Sequence, residues 1–146
     1  MREIRTEVAI AAPLEAVWSV VSDFGAYAEW NPFLPAFEGR PVANTNGRLT
    51  AAIPGSKPRT TPVTILEADA PRRLAWRGQL LGSWLFSGTH FLELTPSDGG
   101  TRVVNREEFR GLLAPLLLRQ LGRGLPAGYE AMNAALKARV ERAGRA

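Results

Sequence analysis

Residues 83–109 decide the fold of this chain, and they read SWLFSGTHFLEL, then TPSDGG, then TRVVNREEF. Apolar residues alternate with other residues along both outer segments, and a Pro/Asp/Gly turn separates them, which is the pattern of a β-hairpin. One face of the first segment carries Trp84, Phe86, His90, Leu92 and Leu94, and one face of the second carries Thr101, Val103, Asn105, Glu107 and Phe109. The apolar members predict that both faces point into the core, with His90 opposite Asn105 or Glu107.

The segments on the N-terminal side of this hairpin add a strand, a helix and a meander. Residues 3–10 alternate as a half-buried strand does, and residues 13–21 repeat apolar side chains at helical spacing. An aromatic-rich connection, FGAYAEWNPFLP, follows at 24–35, where two prolines exclude a regular helix. Short strands are then predicted at 37–43, 48–53, 61–68 and 73–80, with a turn at Asn46-Gly47.

The segment on the C-terminal side of the hairpin predicts a long terminal helix. An apolar stretch at 112–121 leads past the helix-weakening Gly122, Gly124 and Pro126 into residues 128–146. There Tyr129, Met132, Leu136 and Val140 line one side of a helix. Such a stripe indicates that the helix packs on a large apolar surface.

The composition is that of an ordinary globular protein, with 45% hydrophobic and 22% charged residues in 146. This length predicts one soluble domain that spans residues 1–146. The absence of cysteine excludes disulfides and thiolate sites and favours the cytoplasm. Because His90 is the only histidine, a multi-histidine metal site cannot be built, and we expect neither a metal nor a cofactor. Hydrolase and nucleotide-binding functions have no motif to support them.

Positive charge is concentrated at the C-terminal end of the chain. Residues 1–109 carry 11 basic and 12 acidic groups, whereas residues 110–146 carry seven basic groups and two acidic ones. An anionic membrane surface or RNA could use this bias, but cations near the C-terminus of a helix also complement its dipole. We therefore expect a solvated helix face, with neither nucleic-acid binding nor membrane contact. The oligomeric state does not follow from the sequence.

Four segments carry a resemblance to a known superfamily. They are PLEAVWSVVSD at 13–23, YAEWNPF at 27–33, RRLAWRG at 72–78 and GTHFLELTPSDGGTRVVNREEFRG at 88–111. In this order, and with the elements inferred above, they resemble the START-like superfamily of helix-grip folds. The likeness is specifically to the bacterial SRPBCC proteins, which include polyketide cyclase/dehydrase and lipid-transport relatives, and it covers nearly the whole chain.

This resemblance implies an α+β helix-grip fold, in which a curved antiparallel sheet of about six to seven strands wraps around the C-terminal helix. It also implies a deep cavity between sheet and helix for a lipid, a polyketide or another hydrophobic ligand. The residues expected to line that cavity are Trp76, Trp84, Phe86, His90, Leu92, Asn105, Glu107 and Phe109 from the sheet, and Tyr129 and Met132 from the helix. Trp30 and Phe33 are expected near its mouth. Relatives often have a histidine where this chain has Asn105, so the chain departs from the family pattern there and lacks the base that such chemistry would need.

His90 and Glu107 are the two candidates for chemistry, and each has a structural alternative. His90 could act as a general base or orient a ligand carbonyl, because its ordinary pKa lies near neutrality; alternatively it is a buried histidine that is bonded to a neighbour. Glu107 needs a partner on an inward face, because an unpaired buried carboxylate loses its hydration. That partner is either a protein group such as Arg77 or His90, or the polar end of a ligand.

Three functions remain open from the sequence. The first is a non-catalytic binder or carrier of a small hydrophobic ligand, which the apolar inner face favours because it carries few catalytic groups. The second is an enzyme of the cyclase, aromatase or dehydratase kind, in which His90 and Glu107 would move protons. The third is an interaction module that acts through the basic C-terminal helix.

Overall fold

Seven strands, three α-helices and one 3₁₀ helix make up the computed structural model, which describes residues 1–80 and 82–145. The strands are β1 (Arg2–Ile10), β2 (Ala36–Glu38), β3 (Thr45–Ala51), β4 (Arg59–Asp69), β5 (Arg73–Leu80), β6 (Phe86–Ser97) and β7 (Gly100–Arg110). The helices are α1 (Leu14–Val21), the 3₁₀ helix (Phe24–Glu29), α2 (Ala114–Leu121) and α3 (Gly124–Gly144). Within the described residues no helix combines the length and the apolar character that crossing a membrane requires.

All seven strands belong to one antiparallel sheet in the order β1-β7-β6-β5-β4-β3-β2. Because β1 pairs with β7, the first strand of the chain lies beside the last, and the strands from β2 to β7 follow one another as a meander. Helix α3 packs against β1, β7 and α1. The α+β helix-grip fold expected from the sequence, with its curved antiparallel sheet and long C-terminal helix, is confirmed.

The predicted hairpin is present as β6 and β7, and its register is the expected one. His90 lies opposite Glu107, and Leu92 lies opposite Asn105. Burial alternates along β6, where His90 and Leu92 are buried between half-buried neighbours. This alternation confirms that the predicted face of β6 points inward, because successive side chains of a strand point to opposite sides of the sheet.

The terminal helix contributes its predicted stripe to the core. All four stripe residues, Tyr129, Met132, Leu136 and Val140, are buried. Gly128 lets α3 approach the connection before β2, because a Cβ at this position would lie 2.4 Å from the ring of Phe33. Full burial of side chains of this size stabilises the fold by roughly 1.5–3 kcal/mol each, which makes α3 a major part of the core.

The predicted strand at 37–43 and the predicted turn at Asn46-Gly47 are wrong. Strand β2 ends at Glu38, and Asn46 and Gly47 lie inside β3. The chain turns earlier, where Gly39 (φ 149°) and Asn44 (φ 66°) adopt positive φ values that favour glycine and asparagine. Gly47 instead allows β2 and β3 to approach each other closely, because a Cβ at this position would lie 2.5 Å from the Glu38 carbonyl oxygen of the neighbouring strand.

The interruption before the terminal helix is confirmed, but it is shorter than expected. Helix α2 ends at Leu121, and Gly122 has a φ of 57°, which ends the helix. Helix α3 then begins at Gly124, so Pro126 lies in its first turn. A proline is tolerated there because the first N–H groups of a helix have no partner within the helix.

Candidate functional site

A cavity of about 520 Å³ lies between the inner face of the sheet, α2 and the start of α3. Most of its wall is apolar, and the apolar side chains on it include Phe33, Leu34, Leu49, Val63, Trp76, Phe86, Phe109, Leu117, Leu121 and Leu125. Its exposed rim includes Lys57 and Arg59. An apolar cavity of this volume with few polar groups is the usual form of a small-molecule site.

Six of the residues expected at the site are on the cavity wall: Phe33, Trp76, Phe86, His90, Glu107 and Phe109. Trp76 and His90 face each other across β5 and β6, and their rings stack with centroids 4.7 Å apart. Phe86 and Phe109 stack in the same way across β6 and β7, at 6.1 Å. These cross-strand pairs place His90 and Glu107 among aromatic rings.

Five other expected residues are buried or partly buried but do not line the cavity. Leu92, Asn105, Tyr129 and Met132 are fully buried behind the wall, where Tyr129 packs edge-on against Phe33 at 5.0 Å. Trp30 is partly buried and packs edge-on against Tyr27, with its indole N–H free of any described hydrogen bond. These side chains support the wall, and the sequence pattern alone does not separate a supporting residue from a lining one.

The inward position expected for Trp84 is wrong. Its side chain is 67% exposed, and it lies in a turn that precedes β6. The alternation of residues 84–94 extends beyond the true start of the strand at Phe86. Since alternation fixes a side chain's direction only inside a strand, the prediction failed at Trp84, two residues before the strand begins.

Several wall residues were missed in the sequence. Leu49 and Val63 come from β3 and β4, and Leu117 and Leu121 come from α2. The signal for Val63 was present in the alternation of residues 61–68, of which Val63 and Ile65 are buried. The signal for α2 was the four-residue spacing of Leu117 and Leu121, which places them on one helix face.

The polar end of the cavity is built on His90 and Glu107. His90 Nε2 lies 2.6 Å from Asn105 Oδ1, and His90 Nδ1 lies 3.5 Å from Glu107 Oε1. The Tyr129 hydroxyl donates to the same Glu107 oxygen at 2.5 Å. Burial, together with the nearby Glu107 carboxylate, holds the pKa of Tyr129 well above its usual value, so this phenol keeps its proton and remains a donor.

A chain of hydrogen bonds continues from Asn105 on β7 to α3 and returns to the neighbouring strand β1. Asn105 Nδ2 donates to Asn133 Oδ1 at 2.8 Å, and Asn133 Nδ2 donates to Thr6 Oγ1 at 2.9 Å. The Thr6 hydroxyl donates in turn to the backbone carbonyl of Asn105 at 2.9 Å. This closed network joins β1, β7 and α3 and satisfies polar groups that would be costly to bury alone.

Two basic residues of the terminal helix are already paired. Arg139 forms an ion pair with Glu29 at 2.8 Å, and Lys137 bonds to Glu141 at 2.6 Å and to the Ala9 carbonyl at 3.0 Å. These partners reduce the charge that the helix offers to an anionic surface.

Comparisons with known proteins identify the family to which this chain belongs. The model of the family described as "Polyketide cyclase / dehydrase and lipid transport" matches residues 1–141. The chain belongs to this family. A comparison with curated protein sequences found no significant match.

Solved structures share the fold of this polyketide cyclase/dehydrase family member at low sequence identity. The Zhui aromatase/cyclase of Streptomyces sp. R1128 is 22% identical, with a TM-score of 0.79 over 99% of this chain and 96% of its own. The protein TTHA0849 of Thermus thermophilus is 22% identical, with a TM-score of 0.75 over 97% of this chain and 99% of its own. The di-domain aromatase/cyclase StfQ of the steffimycin biosynthetic pathway is 15% identical, with a TM-score of 0.75 over 99% of this chain and 52% of its own. At these identities the likeness establishes the fold of the family member.

Proposed function

We propose that this protein binds a small hydrophobic molecule in its 520 Å³ cavity, with one hydrogen-bonding group of the ligand directed at the His90/Glu107 pair. The observation that carries the proposal is the contrast within the wall. Aromatic and aliphatic side chains form most of it, and away from the charged rim the His90/Glu107 pair lies among them. Such a site binds a ligand whose body is apolar, and it favours a ligand that also carries one polar group. We also propose that residues 1–146 act as one ligand-binding domain, since all seven strands form one sheet.

A blocking substitution tests the proposal. Leu117 lines the cavity from α2, whereas Leu116 is 61% exposed one position earlier on the same helix and does not line it. We expect Leu117→Trp to weaken the binding of naphthalene derivatives and medium-chain fatty acids by at least about tenfold, because the indole occupies ligand space. Leu116→Trp is the matched control and should bind as the wild type does.

The measurement is titration calorimetry, supported by native mass spectrometry of protein purified from cells to find co-purified ligands. If no ligand of either series binds, the carrier proposal is wrong. If Leu117→Trp binds them with wild-type affinity, the ligands occupy another place on the protein.

A second candidate function is catalysis of the cyclase, aromatase or dehydratase kind. One observation favours it: His90 Nδ1 lies 3.5 Å from Glu107 Oε1, and both residues are on the cavity wall. A titratable pair beside an enclosed substrate can move protons during an aldol condensation or a dehydration. The test is incubation with a poly-β-ketone substrate. Catalysis requires that Glu107→Gln abolishes cyclised product while the substrate still binds, and absence of product from the wild type would leave the carrier function alone.

A further inference from the structure

Both ring nitrogens of His90 are engaged inside the protein. Nε2 faces Asn105 Oδ1 at 2.6 Å, and Nδ1 faces Glu107 Oε1 at 3.5 Å. The faces of the ring are also covered, because Trp76 stacks on it and Tyr129 packs edge-on at 5.4 Å. A ligand in the cavity therefore meets the edge of a histidine whose two ring nitrogens are directed at Asn105 and Glu107.

The network behind His90 assigns the position of its proton. The Thr6 hydroxyl uses its only hydrogen on the Asn105 carbonyl, so its oxygen accepts from Asn133 Nδ2. Asn133 Oδ1 must then accept from Asn105 Nδ2, which leaves Asn105 Oδ1 to accept from His90. His90 thus carries a proton on Nε2, and its Nδ1 is directed at Glu107.

The two oxygens of Glu107 are not equivalent. Oε1 receives the Tyr129 hydroxyl and faces His90 Nδ1, so its near neighbours are both protein groups. Oε2 has no hydrogen bond among the described residues and lies beside Gly88, where a Cβ would come within 2.4 Å of it. Gly88 and Glu107 both line the cavity. Oε2 is therefore the carboxylate oxygen that remains available as an acceptor on the cavity side.

We infer that Glu107 Oε2 is the recognition atom of the cavity and that it selects a ligand with a hydroxyl donor: a phenol, an enol or an alcohol. His90, Asn105 and Asn133 are positioning residues, because they act on the ligand through Glu107. The inference rests on the proposed function, since it names the ligand class of the same cavity. It follows because two acceptors repel, so a ligand that offers only a carbonyl or ether oxygen leaves Oε2 without a hydrogen bond.

Three naphthalenes of similar shape test the ligand class: 2-naphthol, 2-methoxynaphthalene and 2-acetylnaphthalene. The wild type should bind 2-naphthol on the order of 10- to 100-fold more tightly than the other two, as a hydrogen bond to a charged group contributes. In Glu107→Gln the Tyr129 hydroxyl should still donate to the side-chain oxygen of the new amide, in the place of Oε1. The amide NH₂ group then takes the place of Oε2 and points toward the ligand. The preference should then move from 2-naphthol to 2-acetylnaphthalene.

Glu108→Gln is the matched control, because the Glu108 side chain binds Arg106 and is absent from the cavity wall. It should keep the wild-type preference. If all three probes bind the wild type equally, the inference is wrong and the proposed function stands. If none of them binds, the proposed function fails and the inference fails with it.

The proton position has an independent test, because His90 is the only histidine and its ring nitrogens give the only imidazole ¹⁵N resonances. The wild type should show a protonated Nε2. Asn133→Asp retains an acceptor for Asn105 Nδ2 and should keep that state, whereas Asn133→Leu frees the Asn105 amide to turn and should introduce the Nδ1–H form. An unprotonated Nε2 in the wild type overturns the assigned network, even if Asn133→Leu does not fold.

Discussion

Gly88 provides the space that the Glu107 carboxylate occupies. Because a Cβ at position 88 would come within 2.4 Å of Oε2, Gly88→Ala must displace that carboxylate. We expect the preference for 2-naphthol over its methyl ether to fall by about tenfold, as the loss of one hydrogen bond predicts. Gly78→Ala is the control, because Gly78 pairs with Gly88 on the cavity wall but its Cβ would make only an ordinary contact of 3.6 Å. Calorimetry with the ligand pair measures both variants, and a Gly88→Ala protein with the wild-type preference would contradict the role given to Oε2.

His90 holds the Glu107 carboxylate in position, so its removal should affect polar-headed ligands selectively. We expect His90→Leu to weaken 2-naphthol by about 1–3 kcal/mol and 2-methoxynaphthalene by much less, because the half-buried Glu107 carboxylate loses the polar neighbour that faces it at 3.5 Å. Titration calorimetry measures the binding of both ligands. Equal weakening of the two ligands would mean that His90 serves only the packing of the wall.

Residue by residue, the sequence predicted the parts of the site that depend on strand register. The turn and two alternating strands placed His90 opposite Asn105 or Glu107, and the structure has Glu107 there. Trp84 could not be placed, because the start of β6 is set by the turn before it and the local alternation does not mark that point. The Asn105–Asn133–Thr6 network was also beyond reach, because it joins three elements whose relative rotation is fixed only by packing.

At the scale of elements, α3 should be indispensable because its buried stripe covers the sheet. Leu136 is 1% exposed, so Leu136→Ala should lower the free energy of unfolding by about 2–5 kcal/mol. The exposed Leu116 is the control, and Leu116→Ala should change stability by less than about 0.5 kcal/mol. Denaturant titration measures both variants.

A chain truncated at residue 125 should lose cooperative unfolding, and a cooperative transition in that protein would show that the sheet is stable without the helix.

The elements themselves were predictable to different degrees. Helix α3 and the β6–β7 hairpin have long periodic patterns, and the structure contains both. Strand β2 is only three residues long, and its pattern was too short to distinguish it from the following turn. The lining role of α2 was missed because an apolar segment of eight residues shows which side is apolar without showing what that side faces.

At the scale of the whole molecule, both tyrosines of the chain are fully buried, and this couples folding to alkaline pH. The Tyr27 hydroxyl donates to the Val21 carbonyl at 2.6 Å, and burial raises the pKa of Tyr27 far above its usual value. Burial also raises the pKa of Tyr129. In the unfolded chain both phenols titrate near pH ~10. Since the unfolded state loses these protons first, their contribution to stability is complete below that pH and is lost progressively above it.

We therefore expect the free energy of unfolding to fall above pH ~10 by up to about 2.7 kcal/mol per pH unit, since each of the two phenols contributes at most about 1.4. Tyr27→Phe should halve this slope, although it costs about 0.5–1.5 kcal/mol at neutral pH through the lost hydrogen bond to Val21. The two tyrosines make the experiment unambiguous, because every tyrosinate signal in the ultraviolet spectrum comes from a residue that the core encloses. During an alkaline titration, tyrosinate absorbance should rise together with the loss of circular dichroism. Absorbance that rises while the dichroism is still native would show that solvent reaches a phenol in the folded protein, and the closed core around α3 would have to be reconsidered.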